Sequence, residues 1–332
     1  MTEETQQPRR IVTFDEKRKP SRFETSWQTH LDIESKDAWE AGEVGYICRA
    51  LVQATLPYRE PKGDPPAWGR TNGKISLVIQ PGYYLKQVVE TTPNGRTKTT
   101  QVPTSLGYPY GSIPRLLLAW IGREVKQNKQ REIVLGNSLT QFMQELGINN
   151  ATGGKNGSIT RLREQMRRTF ASKIAILDNP DIAQEALDWR NESFNLVDKS
   201  SIWWDPKSPE QPDLFESRIA LSERFYEELA FNPVPVDMRV LRELKNNPSA
   251  LDLYCYMTYT MFTLRREKLV SWESLLMQFG SELSTSGNIR KFRWQFKQAL
   301  SLVQVVYPEA NVVLDKAGLV MRPSKTSVKK LG

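Results

Sequence analysis

Histidine and cysteine are nearly missing from this chain. The one histidine, His30, excludes a paired-histidine metal site of the kind strand-nicking enzymes use. The two cysteines, Cys48 and Cys255, sit among apolar residues (Gly-Tyr-Ile-Cys and Leu-Tyr-Cys-Tyr). Neither a disulfide framework nor a thiolate zinc site can be assembled from them, and both read as buried filler. No run of about 18 apolar residues occurs, and Met1 to Pro20 is polar and charged rather than basic then apolar, so the expected location is the cytoplasm and not a membrane. A P-loop is missing too, since Gly153-Gly154-Lys155-Asn156-Gly157 has the wrong spacing for Gly-x4-Gly-Lys-Ser/Thr. Acidic residues are scattered, without the clustering a metal-dependent nuclease needs. The chain therefore reads as a protein that is not an enzyme and carries no cofactor and no metal.

What is present is cation. Among 332 residues, 46 lysines and arginines face 38 acids, for a formal net charge of +8, and 39% apolar content leaves enough material for two domains. Such an excess favours a polyanionic partner, because lysine and arginine displace counterions from a phosphate backbone. A mildly basic protein with no such partner has the same total, so the distribution of charge must decide.

Residues 1–40 mix Gln, Pro, Arg, Lys and Glu without apolar periodicity and read as a disordered arm. Val44 to Thr55 and Ile75 to Gln80 read as strands joined by a Pro/Gly stretch. Tyr83 to Thr91 and Thr97 to Val102 flank Pro93-Asn94-Gly95, a hairpin signal. Residues 41–110 thus predict a small β subdomain. From Ile113 the period becomes helical, with Leu117, Trp120, Ile121 and Val125 on one stripe to about Asn128. A short strand (Glu132 to Leu135), a helix opened by Asn137 or Ser138 and running to Leu146, a Gly-rich loop (Asn149 to Gly157) and a long helix from Ser158 follow. Strand-like runs at Lys173 to Leu177, Phe194 to Val197 and Ile202 to Trp204 close the series. That is the order of a winged helix.

The order recurs: a helix at Ala250 to Arg266, a strand at Lys268 to Val270, a helix at Trp272 to Phe279, a long helix at Asn288 to Val305, and a hairpin from Asn311 to Met321. A shift of 136 pairs Leu117 with Leu253, Trp120 with Tyr256, Ile121 with Met257, Val125 with Met261, Ile133 with Leu269, Val134 with Val270 and Leu139 with Leu275. Beyond the Gly-rich loop a shift of 130 pairs Ile159 with Ile289, Leu162 with Phe292, Arg163 with Arg293, Gln165 with Gln295, Met166 with Phe296 and Phe170 with Leu300. The fold class predicted is α+β: tandem winged-helix units over 111–216 and 217–323, each a helix-turn-helix with a β wing, preceded by the β subdomain and followed by a basic tail, 324–332.

At 100° per residue, Ile159, Leu162, Met166 and Phe170 share the inward face of the first long helix. Arg163 and Arg167 flank that face with Thr160, while Arg161 and Arg168 lie opposite. In the repeat, Arg290, Arg293 and Lys297 take the positions of Thr160, Arg163 and Arg167, next to Lys291. Basic residues on one amphipathic helix are as often a solvated face. Two aligned helices, each followed by a hairpin, point instead to the major groove, where arginine can pair with guanine. Lys155, Asn156 and Ser158, with Asn288 in the repeat, are placed to offer donors to a phosphate or simply to cap their helices. Lys316 and Arg322 extend the basic surface at the second hairpin, and the tail adds three lysines from Lys325 to Lys330.

A partner motif stands apart from these. Gln211-Pro-Asp-Leu214-Phe215 resembles the Gln-x-x-Leu-Phe peptides that dock on the bacterial sliding clamp; the alternative is that Leu214 and Phe215 begin the strand leading to Ile219.

Four strings carry a wider resemblance: Tyr110-Gly-Ser-Ile-Pro-Arg-Leu-Leu-Leu-Ala-Trp120, Leu135-Gly-Asn-Ser-Leu139, Ile159-Thr-Arg-Leu-Arg-Glu-Gln-Met-Arg-Arg168 and Val234-Pro-Val-Asp-Met-Arg-Val-Leu241. The chain from Val44 to Met321 resembles the plasmid-encoded RepA replication proteins, a family similar to TrfA-type initiators. The resemblance implies an initiator that binds repeated sites in double-stranded DNA at its plasmid's origin and helps melt an adjacent AT-rich segment. It also implies recruitment of the host helicase, its loader or the host initiator protein, and a homodimer that is inactive or represses its own promoter. A winged-helix transcriptional repressor without an initiator role is the alternative; an origin-nicking enzyme is a remote one.

Overall fold

The computed structural model of the chain describes residues 31–329, apart from 74, 92–96, 137, 179–189, 205–208, 210–215 and 281–288. The expected turn at Pro93-Asn94-Gly95, the clamp-like peptide Gln211 to Phe215, and Asn288 lie outside the described residues.

Strand β1 (Val44–Cys48) runs directly into a short helix, α1 (Arg49–Gln53), where the sequence pattern predicts one strand to Thr55. Ala50, Leu51 and Val52 are consecutive and all buried. A strand would turn the middle one to the opposite face, whereas a helical turn wedged into the core buries all three. Next come β2 (Trp68–Asn72), β3 (Ile75–Gln80), β4 (Tyr83–Thr91) and β5 (Thr97–Ser105). The first unit has α2 (Ser112–Asn128), β6 (Glu132–Val134), α3 (Leu139–Glu145), α4 (Ser158–Ala171), β7 (Lys173–Asp178), β8 (Arg190–Asn195), β9 (Val197–Ser201) and β10 (Arg218–Leu221). A connector unforeseen in the sequence follows, α5 (Glu223–Phe231), β11 (Pro233–Asp237) and α6 (Met238–Leu244). The second unit comprises α7 (Pro248–Thr263), β12 (Lys268–Ser271), α8 (Trp272–Phe279), α9 (Ile289–Val306), β13 (Val312–Leu314) and β14 (Gly318–Met321). Side-chain oxygens of Ser138, Ser222, Asp237, Asn247 and Ser271 cap α3, α5, α6, α7 and α8, each accepting an early backbone N–H.

The architecture is mixed α+β with small sheets. In the first unit the strand order is β6-β10-β9, in the second β12-β14-β13, so both place the strand that precedes the helix pair beside the last strand of the hairpin. The strands of 44–105 do not close a sheet of their own. β1 pairs with β11, β2-β3 extend the β7-β8 hairpin, and β4-β5 form a separate ladder. β1 is buried along its whole length: β11 pairs with its edge, α2 packs against it, and Val44 and Tyr46 cluster with Ala38 and Val328.

The internal repeat keeps step from α2 to α7 but not in the short strand and helix that follow. Leu117 and Leu253, Trp120 and Tyr256, Ile121 and Met257, and Val125 and Met261 are buried pairwise. In the short strand Ile133 is buried where Leu269 is exposed, and Val134 is exposed where Val270 is buried, so the equivalence slips by one residue there. The caps Ser138 and Ser271 then reset it, making Leu139 equivalent to Trp272 and Phe142 to Leu275 rather than Leu139 to Leu275.

One hydrophobic core runs from Ile47 to Met321 through both units. A buried ion pair bolts α2 to α7: Arg115 Nε and Nη2 donate to the two carboxylate oxygens of Asp252, each at 2.7 Å. The other Arg115 hydrogens go to the carbonyls of Gly111, Leu56 and Pro57. Burial opposes the charge, yet Asp252 outweighs it and holds the Arg115 guanidinium above the ordinary arginine value. Arg70 of β2 reaches the carbonyl of Gln278 in α8 at 2.6 Å, so the N-terminal strands also bridge the two units.

Close approach of α2 to β1 depends on Gly122, where a Cβ would overlap the Tyr46 carbonyl oxygen. Gly122→Ala is expected to cost about 1–3 kcal/mol through backbone displacement, read from the denaturant midpoint; an unchanged midpoint would mean that α2 can shift freely.

Both chain ends differ from the sequence expectation where they are described. Residues 31–35 are helical, Arg239 holds Asp32 at 3.1 Å, and Ala38, Val44, Tyr46 and Val328 share a small buried cluster. Lys329 pairs with Asp37 at 2.7 Å, and Trp39 Nε1 donates to the Lys329 carbonyl. Residues 31–40 and 324–329 are thus packed on each other, and of the expected basic tail Lys329 is engaged with an acid. Apolar Ala38, Trp39 and Val328, too few to give a periodic signal, anchor both segments.

Candidate nucleic-acid interface

The loop before α4 is built around its first residue. Ser158 Oγ donates to the Asn150 carbonyl and accepts from Thr152 N–H, while Ser158 N–H donates to Thr152 Oγ1. Thr160 Oγ1 donates to the Gly154 carbonyl at 2.7 Å. Gly154 adopts φ +84°, and a Cβ on Gly157 would overlap the Thr152 and Gly153 carbonyls, so both glycines are required by the turn. Ser158 is therefore buried and committed to the loop, not free for a phosphate as expected from its position; Lys155 and Asn156 are exposed.

On α4, Ile159, Leu162, Met166 and Phe170 are buried as predicted, and Arg161, Arg163 and Arg167 are exposed. Arg163, Arg167 and Thr160 line an open groove of about 770 Å³ whose far wall is β9, with Lys199 and Ser200. Lys199 was not foreseen from sequence; only its place in a short strand next to the long helix could have suggested it.

Arg168 corrects the sequence reading. It is 7% exposed, with its guanidinium on Glu60 and Glu164 (2.6 Å each) and over the Tyr110 ring at 5.3 Å. Burial works against its charge, and the two glutamates more than compensate, raising its pKa. Its side of α4 faces the 107–110 segment, so it buttresses the helix and is unavailable to a ligand. Gln165 is likewise structural, accepting the Tyr110 N–H at 2.9 Å.

On α9 the inward face is Phe292, Phe296, Leu300 and Val303, against Trp272 and Phe279 of α8. Arg290, Lys291, Arg293 and Lys297 are exposed. Arg293 lies over the Trp272 ring at 5.0 Å, a contact that steadies its stem while its head stays at the surface. Trp294, unremarked in the sequence, is 63% exposed beside them. Lys316 is exposed at the tip of the β13-β14 hairpin, and Arg322 pairs with Glu267 at 2.7 Å on the surface, an exchangeable contact.

Both cysteines are buried, and burial pushes the Cys48 thiol up to about 11 and raises Cys255 as well. Among the described residues no three His, Cys, Asp or Glu side chains converge as a metal site, and no helix is long and apolar enough to cross a membrane.

No curated protein matches the chain. Solved structures similar to it include two crystal structures of domains 2 and 3 of RctB, one a selenomethionine derivative. Each has 10% sequence identity over 82% of this chain, with TM-scores of 0.48 and 0.45, covering 95% and 94% of those chains. The model of the family described as plasmid encoded RepA protein matches residues 108–274, from the segment before α2 through the start of α8, and so takes in the first basic helix with its loop and the bolt between the units. By that match over half its length, the chain belongs to the plasmid-encoded RepA family of replication initiators.

Proposed function

We propose that this chain is a plasmid replication initiator that reads double-stranded DNA through two winged-helix units, with α4 and α9 as recognition helices. The observation that carries the reading is the matched pair of basic edges. Arg163 and Arg167 on α4, and Arg290, Arg293 and Lys297 on α9, are exposed while the opposite faces of both helices are core, and each helix belongs to a unit whose sheet has the same strand order. Such helices fit successive major grooves about one helical turn apart, with arginines donating to guanine and Lys155, Asn156, Arg161, Lys199, Lys316 and Arg322 near phosphates. The bolt between α2 and α7 keeps that spacing.

Binding of origin repeats strains and melts a neighbouring AT-rich segment, and the protein, itself no enzyme, brings in the host helicase, loader or initiator. It acts in the cytoplasm and also self-associates as a homodimer. A footprint of the purified protein on its plasmid's origin, with permanganate probing for unpaired thymines, tests the reading. Protected, regularly spaced repeats with reactive thymines beside them are expected; protection confined to a promoter without melting would make it a repressor.

A further inference from the structure

The β4-β5 ribbon stands apart from both units. Among the described residues its nine-residue strands pair only with each other, and it is rooted where Leu106 N–H donates to the Gly82 carbonyl at 2.8 Å. Tyr83, Tyr84, Leu85, Val89 and Val102 are all exposed on it, Leu85 and Val89 by more than 60%. A lone two-stranded ribbon is marginal in water, and a further strand is the ordinary remedy. The two outer edges are not equivalent. β5 contains Pro103, which has no N–H to give, whereas β4 offers nine residues without proline.

One face of the ribbon, Tyr83, Leu85, Gln87, Val89 and Thr91 with their partners across β5, carries no charge at all, in a chain of +8 whose copies otherwise repel. The other face carries Lys86 and Glu90 on β4, two residues either side of Val88, and Lys98 of β5 opposite Glu90.

We propose that a second copy of this chain pairs antiparallel along β4, centred on Val88, to make a continuous four-stranded sheet. In that register Lys86 of each copy lies opposite Glu90 of the other, giving two cross-strand ion pairs about the two-fold axis. Centring on Lys86 or Glu90 would set like charges face to face, and centring on Gln87 or Val89 leaves both charges unmatched. The uncharged face of one ribbon then continues into that of the other, with Leu85 opposite Thr91 and Val89 opposite Gln87 of the second copy. This places the contact of the self-association read above and rests on it.

Sedimentation of the full chain at micromolar concentration tests both. Wild type is expected to be a reversible dimer; Lys86→Glu and Glu90→Lys each weaken it roughly tenfold or more, and the double exchange restores it. A Val88→Cys variant oxidised with copper phenanthroline should link two copies, while Tyr84→Cys should not, since the two Tyr84 positions lie far apart in this register. A wild type that stays monomeric at every concentration removes the self-association reading itself. A dimer untouched by either reversal, or a double exchange that fails to recover, overturns the β4 pairing alone. Unchanged sedimentation with weaker duplex binding by the reversals would assign the ribbon to DNA and likewise overturn it.

Discussion

Asp252→Ala is expected to destabilise the folded chain by about 3–5 kcal/mol, the usual result when one partner of a buried ion pair is removed and the other remains. Arg115 and Asp252 are 6% and 7% exposed, and Arg115 cannot escape to water without dismantling the junction of α2, α7 and the segment at Leu56 and Pro57. Replacing both, Arg115→Met with Asp252→Leu, should recover only part of the loss. The carbonyls of Gly111 and Leu56 then lose their donor, and a buried acceptor left unpaired has its own penalty. Guanidinium titrations at constant m-value read the effect. A loss below about 1 kcal/mol would mean that water reaches the pair and that the two units are not bolted through it.

Arg163→Ala and Arg293→Ala should each lower discrimination between the specific site and random DNA by about 1–3 kcal/mol, the range for a side chain paired with guanine. Both are exposed on the outer edges of their helices, so truncation should leave stability nearly unchanged. Arg293→Ala also uncovers one face of Trp272, worth at most about 1 kcal/mol at an exposed site. Arg168→Ala should behave oppositely, with stability falling while discrimination holds, because its guanidinium is spent on Glu60 and Glu164. Competition binding at one fixed salt concentration separates these outcomes. Equal losses on specific and random DNA would reduce Arg163 and Arg293 to phosphate contacts.

The parts of the fold visible in the sequence are those with strong local signals. The helices α2, α3, α7, α8 and α9 announce themselves by their apolar residues, α3 also by its cap Ser138, and the structure places their ends within a few residues of expectation. Strand partners were not visible, because pairing β1 with β11 joins segments almost 190 residues apart and no local pattern records that. The connector α5 to α6 was missed since its helices, of nine and seven residues, are too short for an apolar period to repeat. At the candidate interface, periodicity separated the inward face of α4 from its basic edge. It could not tell Arg168, which a neighbouring loop covers, from Arg161, which solvent meets. Helical position fixes the direction of a side chain, and only tertiary packing decides what waits there.

Guanine methylation interference on a single origin repeat tests the two-helix reading most directly, run in parallel with wild type, Arg163→Ala and Arg293→Ala. The account predicts two clusters of major-groove guanines about 10 base pairs apart, one lost with each variant. A single cluster, or two clusters that both survive each substitution, would contradict it.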